Sequence, residues 1–262
     1  MNLNSEGVVL RQTKATGGRT MILLFTKDYG KLSAGTSLTG GKKARSSLAL
    51  HPFTYGNYQI FEGRNYRNID RADVIRSYYR IGEDLDKYMY ASYALELTEK
   101  ILPENLPQPA VFDLLTEFLG EMQDRKKKYE TLLIAYQVKL LKILGVSPVL
   151  DRCAGCGKKE ELVYFSVPSG GMCCASCAVN EETDGTPRQK TADKHQENLI
   201  YRPGFDIMEV VRYFEKNPLT SLKKLALNPE AAAFLTDLLK DYFSYHLDVT
   251  DLKSESFFGN NQ

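Results

Sequence analysis

The residues with the clearest chemistry are five cysteines, all between positions 153 and 177. Cys153 and Cys156 form one CxxC pair and Cys174 and Cys177 a second, with 17 residues between the pairs. A CxxC turn aims two sulfurs at one point, so two such turns supply the four thiolates of a tetrahedral zinc site. Gly155, Gly157, Gly170 and Gly171 give the backbone the freedom that tight knuckles need. Four thiolates leave no open position for water, so the expected chemistry is structural: one zinc ion held as a staple. Cys173 stands next to the second pair; the CxxC spacing favours Cys174 as the ligand, with Cys173 the alternative. A disulfide, a redox CxxC and free thiols are the competing readings. Structural disulfides are rare in a cytosolic chain. Redox CxxC motifs come singly beside a βαβ pattern, which this sequence lacks.

Catalytic patterns are not found. There is no GxxxxGK[ST], no HExxH and no nucleophile elbow. The three histidines, His51, His195 and His246, are isolated in sequence. Asp84 and Asp86 fall at a helix start, where acids complement the dipole. The chain therefore reads as a binding protein rather than an enzyme.

The elements around the cysteines follow from periodicity. Residues 1–80 are β-rich. Gly7-Val8-Val9-Leu10 opens an apolar run, Met21 to Thr26 reads as a buried strand, and Asp28-Tyr29-Gly30 is a turn. Lys31 to Leu38, Phe53 to Phe61 and Ile69 to Ile75 continue as strands, giving a small barrel or sandwich. Thr39 to Ser47 is a glycine-rich basic loop. From about Gly82 the period becomes helical through Leu85, Tyr88, Met89 and Tyr93. Pro109 starts a second helix, with a stripe of Phe112, Leu115, Leu119 and Met122. Tyr129 to Leu144 is apolar nearly all round and predicts a central, buried helix. Leu162 to Val167 predicts a small strand under the knuckles. Residues 181–198 read as an exposed connector. Phe205 to Lys216 predicts a helix, Asn228 caps the last one, and the tail from Glu255 is expected to be loose.

Charge is unevenly spread. The whole chain has a net charge of +1, but residues 1–80 hold 13 Lys and Arg against 5 Asp and Glu, a net of +8. The remainder, with 21 against 28, is at −7. That asymmetry suits a polyanion-binding segment joined to a different body, or else a solvated basic face. No signal peptide is read at Met1 to Gly7, and no run nears the roughly 18 apolar residues that cross a bilayer. The expectation is a cytoplasmic protein with no membrane partner.

Read together, these features resemble the bacterial RecO family. Gly7-Val8-Val9-Leu10, then Met21 to Gly30, is similar to that family's opening hairpin, and Gly40 to Ser47 resembles its basic loop. Leu144-Gly145-Val146-Ser147-Pro148, leading to Leu150-Asp151-Arg152-Cys153 and on to Gly157, resembles the entry to its finger. Phe165-Ser166, Gly170-Gly171 and Cys174 to Cys177 match the exit, and Tyr245-His246-Leu247, Leu252-Lys253-Ser254 and Phe257 resemble the C-terminal signature. Two places depart from the family: Gly18-Arg19 where an acidic residue is usual, and a rearranged Thr39 to Ser47 loop.

The resemblance implies an α+β chain: a small N-terminal β-barrel (OB-fold), then an α-helical domain with an inserted four-cysteine zinc finger. The boundaries it gives are 1–80 for the OB-fold, 81–150 and 181–262 for the two parts of the helical domain, and 151–180 for the finger. It implies a mediator of DNA repair and recombination, nucleoid-associated during repair. Its implied partners are single- and double-stranded DNA, RecR and the C-terminal tail of single-strand-binding protein. RecA is involved indirectly, through loading on gaps, and complementary strands can also be annealed. The tail of single-strand-binding protein, acidic and phenylalanine-ended, implies a groove with an apolar floor and a basic rim.

For DNA the candidate phosphate contacts are Arg11, Lys14, Arg19, Lys27, Lys31, Lys42, Lys43, Arg45, Arg64 and Arg67. Phe53, Tyr55, Tyr58 and Tyr66 interleave with them and could stack bases, although core packing is the favoured role of each. The contrasting reading is a zinc-stapled protein–protein adaptor without DNA affinity; a sequence-specific zinc-ribbon regulator is a further one.

Overall fold

A computed structural model describes residues 1–14, 20–36, 47–183 and 199–258. They form a mixed α+β chain, a sheet first and helices after it. Two compact units divide it: residues 1–136 with 251–262, and residues 137–250. Among the described residues no helix is long and apolar enough to cross a membrane.

The first unit opens with five strands: β1 (Asn2–Lys14), β2 (Thr20–Thr26), β3 (Gly30–Thr36), β4 (Thr54–Glu62) and β5 (Arg67–Ser77). They close as a barrel in the order β1-β2-β3-β5-β4. β1 is long enough to pair with β2 through Gly7–Lys14 and with β4 through Asn2–Val8, both antiparallel. Closure comes from a parallel contact of β3 with β5 at Gly35 and Asn68. Alternation decides what lies inside: Leu3, Val9, Ile22, Leu24, Leu32, Tyr58, Ile60 and Ile69 form one buried cluster. The β2–β3 turn is tied by the Thr26 hydroxyl, which donates to the Gly30 carbonyl at 2.8 Å, and Gly30 sits at φ +70.

Three helices follow: α1 (Leu85–Ile101), α2 (Pro109–Asp124) and α3 (Tyr129–Ile143). Asp84 is the cap of α1 and accepts from the Lys87 N–H at 3.1 Å, so the dipole reading of Asp84 sharpens to a side-chain cap. Pro109 occupies the first turn of α2. Phe112 of α2 meets Phe25 and Tyr55 edge-on, at 5.4 and 5.8 Å between ring centres. The expected central helix is α3: Leu132, Leu133, Ile134, Tyr136, Val138, Leu140 and Leu141 are all buried.

The tail departs from expectation. Lys253–Phe257 forms a 3-10 turn against α1 rather than a loose end. The Glu96 carboxylate accepts from the Lys253 N–H at 2.9 Å, the Ser254 N–H at 2.8 Å and the Ser254 hydroxyl at 2.6 Å. Phe258 packs on Tyr90 and Tyr93, with centroids at 5.0 and 5.9 Å. Burial pushes the Glu96 carboxyl up, but these hydrogen bonds and nearby Lys100 hold it below its ordinary value. A carboxyl depressed in the folded state stabilises above its unfolded pKa, and that stability is lost as pH falls through the folded value. The docked tail is therefore retained at neutral pH and released only on acidification below the ordinary carboxyl range. Glu96→Ala leaves three donors unmatched and costs the docked tail about 1–3 kcal/mol. Hydrogen exchange confined to residues 253–258 should quicken in that variant at pH 7; unchanged exchange there would remove the clasp.

The second unit holds the cysteines. β6 (Leu162–Ser166) pairs antiparallel with β7 (Gly171–Cys174) and with β8 (Ile200–Tyr201). β7 leads directly into α4 (Ala175–Thr183), so a helix takes the first part of the expected connector. α5 (Ile207–Lys216) is capped by Asp206, and α6 (Pro229–Leu247) by Asn228, which accepts from the Ala231 N–H at 2.7 Å. α6 supports the small sheet. The Tyr242 hydroxyl donates to the Val146 carbonyl at 3.1 Å, the Tyr242 ring meets Phe165 edge-on, and His246 Nε2 lies 2.7 Å from the Val167 carbonyl.

Candidate metal centre and nucleic-acid interface

Cys153, Cys156, Cys174 and Cys177 converge, with their sulfurs all within 4.8 Å of one another. Each sequence pair is placed by a different device. Cys153 and Cys156 lie on a turn in which the Gly157 N–H donates to the Cys153 carbonyl at 2.8 Å, with Gly157 at φ +78. Cys174 ends β7, and Cys177 stands in the first turn of α4, where the helix dipole favours a thiolate. The Ala154 N–H donates to the Met172 carbonyl at 2.8 Å and locks the two knuckles together.

The spacing suits a metal. Cys174 Sγ lies 3.8 Å from both Cys153 Sγ and Cys156 Sγ. A tetrahedron with metal–sulfur bonds of about 2.3 Å has edges of about 3.8 Å. The thiol chemistry agrees. Burial pushes the Cys153 thiol up, but N–H groups of Cys174, Cys156 and Gly155 and the Cys156 side chain bring it down to about 6. Cys177 is pushed up by the sulfurs of Cys174, Cys156 and Cys153. Four sulfurs at one point cannot all carry charge without a cation among them. The quartet could hold a metal ion, and no disulfide joins any of the five cysteines. Cys173 is buried beside Cys174 in the same apolar cluster but is not one of the four.

The predicted DNA contacts divide by their surroundings. Arg11 pairs with Glu99 at 2.9 Å, Lys27 with Asp113 at 3.1 Å and Arg67 with Glu62 at 2.7 Å. Lys31 Nζ donates to the Glu99 carbonyl at 2.7 Å. Lys14 and Arg64 are exposed and make no ion pair with any described residue. Arg19, Lys42, Lys43 and Arg45 lie outside the described residues, as does His195. Of the four aromatics, Tyr58 is buried with its hydroxyl on the Ala49 carbonyl, Phe53 is buried against Tyr88, and Tyr55 donates to Glu6 at 2.6 Å. Tyr66 is the exposed one, at 61%.

Two grooves carry no mark in the sequence. One, of about 530 Å³, runs in the first unit between β1, α1 and the docked tail, past Arg11, Phe53, Ser92, Glu99 and Phe257. The other, of about 310 Å³ in the second unit, is lined by the apolar Leu162, Val163, Met172, Phe205 and Ile207 and by the charged Arg202 and Asp206. Their walls come from residues distant in sequence, so no local motif announces them.

Comparison with known proteins completes this picture. Residues 1–78 match the family model described as Recombination protein O N terminal, and residues 82–193 match Recombination protein O C terminal. DNA repair protein RecO of Thermoanaerobacter sp. (strain X514) is 31% identical over 260 residues, covering 99% of this chain and 98% of that one. Its counterpart in Caldanaerobacter subterraneus subsp. tengcongensis is 31% identical over 255 residues, covering 97% and 96%. That of Bacillus pumilus (strain SAFR-032) is 28% identical over 259 residues, covering 98% and 93%. With a match to both family models and to relatives along nearly its whole length, the chain belongs to the recombination protein O (RecO) family, whose role is in DNA repair and recombination.

Proposed function

We propose that the protein is a non-catalytic, cytoplasmic recombination mediator that binds single- and double-stranded DNA without regard to sequence. On this reading it acts with RecR and single-strand-binding protein to help RecA load on gaps, and it anneals complementary strands. The observation that carries the reading is the pair of family matches, on a chain whose first 80 residues hold a net charge of +8. The barrel order β1-β2-β3-β5-β4 supports an OB-fold as the DNA-binding domain, over residues 1–80.

Lys14 and Arg64, whose charges no described carboxylate neutralises, lead the phosphate contacts, together with Arg19, Lys42, Lys43 and Arg45. Arg11, Lys27, Lys31 and Arg67 contribute after exchanging their present partners. Tyr66 is the ring available for stacking. Cys153, Cys156, Cys174 and Cys177 hold one structural zinc ion. The groove lined by Arg202 offers an acidic, phenylalanine-ended tail apolar side chains and a cation, while the Asp206 carboxylate that also lines it is engaged in capping α5.

Labelled single-stranded DNA, naked and coated with single-strand-binding protein, tests this when titrated at several salt concentrations. Binding should be sequence-indifferent, salt-sensitive and retained on the coated strand. Reversing the charge of Lys42, Lys43 and Arg45 should weaken binding and flatten the plot of log affinity against log salt, by about 0.7 for each single-strand phosphate no longer neutralised. Absence of binding in both forms would leave the zinc-stapled adaptor as the reading.

A further inference from the structure

The longest run of positive charge among the described residues lies outside the barrel. Arg125-Lys126-Lys127-Lys128 joins α2 to α3. The loop is built rather than slack. The Arg125 N–H donates to the Glu121 carbonyl at 2.9 Å and closes α2. The buried Arg125 side chain then donates through Nε to the carbonyls of Lys127 at 3.1 Å and Lys128 at 3.0 Å. On the other side the Tyr129 hydroxyl bridges the Lys126 carbonyl and the Asp84 carboxylate, at 2.9 and 3.0 Å. Lys128 is held at φ +61, a conformation that costs a long side chain free energy.

This frame presents three lysines to solvent. Lys126, Lys127 and Lys128 are exposed, and no described side chain pairs with their ammonium groups. Of the nearby carboxylates, Asp84 caps α1 and accepts from the Tyr129 hydroxyl, and neither Asp124 nor Glu130 forms an ion pair with these lysines. The fold does not ask for the charge either. The C-terminal end of α2 favours cations, but the N-terminal end of α3 disfavours them equally, so the two helix dipoles offset. Arg80 hydrogen-bonds the Tyr79 side chain and lies within electrostatic reach of Asp124, the last residue of α2, and Tyr79 is 61% exposed.

We infer that Lys126, Lys127 and Lys128, with Arg80 and Tyr79, form a second contact surface for the sugar–phosphate backbone of single-stranded nucleic acid, separate from the barrel. This rests on the DNA-binding reading above and adds a site to it. The chemistry favours a polynucleotide over an acidic protein segment. Freely rotating ammonium groups in series match evenly spaced phosphates, and neither groove described above is lined by these residues. The exposed Tyr79 ring offers a stacking face of the kind that sequence-indifferent binders use.

The test is acetylation footprinting of the intact protein, free and saturated with oligothymidine, read by mass spectrometry at each lysine. It is paired with affinity measurements on a triple Lys126→Gln, Lys127→Gln, Lys128→Gln variant. The expected result is protection of all three lysines. In the variant the salt slope should fall by about 2 and affinity at 0.1 M salt should fall roughly ten- to a hundredfold, the effect expected for three phosphate contacts. The footprint uses the native chain, so a variant that folds poorly does not blunt it. Bound oligothymidine that protects the barrel lysines and leaves 126–128 reactive would overturn this surface and leave the barrel reading intact. No oligothymidine binding at all would overturn both. Protection by polyglutamate and not by oligothymidine would overturn the nucleic-acid assignment in favour of an acidic protein partner.

Discussion

Protein purified without chelator should carry one zinc ion per chain, and Cys174→Ala should abolish it while Cys173→Ala should not. The two cysteines are neighbours on one strand, so they point to opposite faces, and Cys174 alone points at the other three sulfurs. Its sulfur lies 3.8 Å from two of them, the edge of a thiolate tetrahedron about zinc. Cys173 is buried in the apolar cluster, where a small apolar residue is tolerated at modest cost. The effect of losing the ion is large because the strands that carry the site are short: β6 and β7 have five and four residues. Structural zinc in finger-sized units contributes on the order of 10 kcal/mol, so its loss leaves the knuckles unfolded. Metal content by mass spectrometry reads the first part. Hydrogen exchange reads the second, with protection lost over residues 149–183 and kept in β1 to β4. Equal metal loss in both variants, or a full complement of zinc in Cys174→Ala, would overturn the assignment.

Much of this site was legible in the sequence because its information is local. The CxxC spacing names the quartet, and glycines at 155, 157, 170 and 171 mark the knuckles. Capping and proline signals at Asn228 and Pro109 locate helix starts to the residue, since both act within one turn. What stayed hidden is long-range. Arg11 and Lys27 look free in sequence, yet their carboxylates lie 88 and 86 residues away. The pairing of Arg67 with Glu62 becomes visible only once the β4–β5 register sets them opposite each other. The tail reads as loose because its anchor, Glu96, is 158 residues from Ser254. The lysines at 126–128 are plain as residues, but their significance depends on what holds the loop and on their standing unpaired with the nearby Asp84, Asp124 and Glu130. The +8 segment was a sound pointer to charge and a poor guide to which charges are available.

Gly171→Ala should damage the metal centre although it touches no sulfur. A Cβ at Gly171 would stand 2.2 Å from the Val149 carbonyl oxygen and 2.7 Å from the Val149 nitrogen. Both are backbone atoms, so no side-chain rotation relieves the overlap. The contact is also what aligns the site. The Val149 N–H donates to the Gly170 carbonyl at 2.9 Å and the Met172 N–H to the Val149 carbonyl at 2.8 Å. These bonds hold the segment entering Cys153 against the strand carrying Cys174. Inserting a methyl group moves these backbones apart by close to 1 Å, whereas metal–ligand distances tolerate about 0.2 Å. Overpacking against fixed backbone costs roughly 3 kcal/mol, and zinc affinity should fall about tenfold to a hundredfold. Gly145→Ala is the matched control: Gly145 has φ +75 but open space around its Cβ position, so it bears conformational strain of about 1 kcal/mol and no displacement of the knuckles. Competition with a chromogenic chelator separates the two. Wild-type affinity in Gly171→Ala would mean that the knuckles find their geometry without this backbone contact; weakened affinity in Gly171→Ala with retention in Gly145→Ala would place the alignment of the four sulfurs in the main chain between Val149 and Met172.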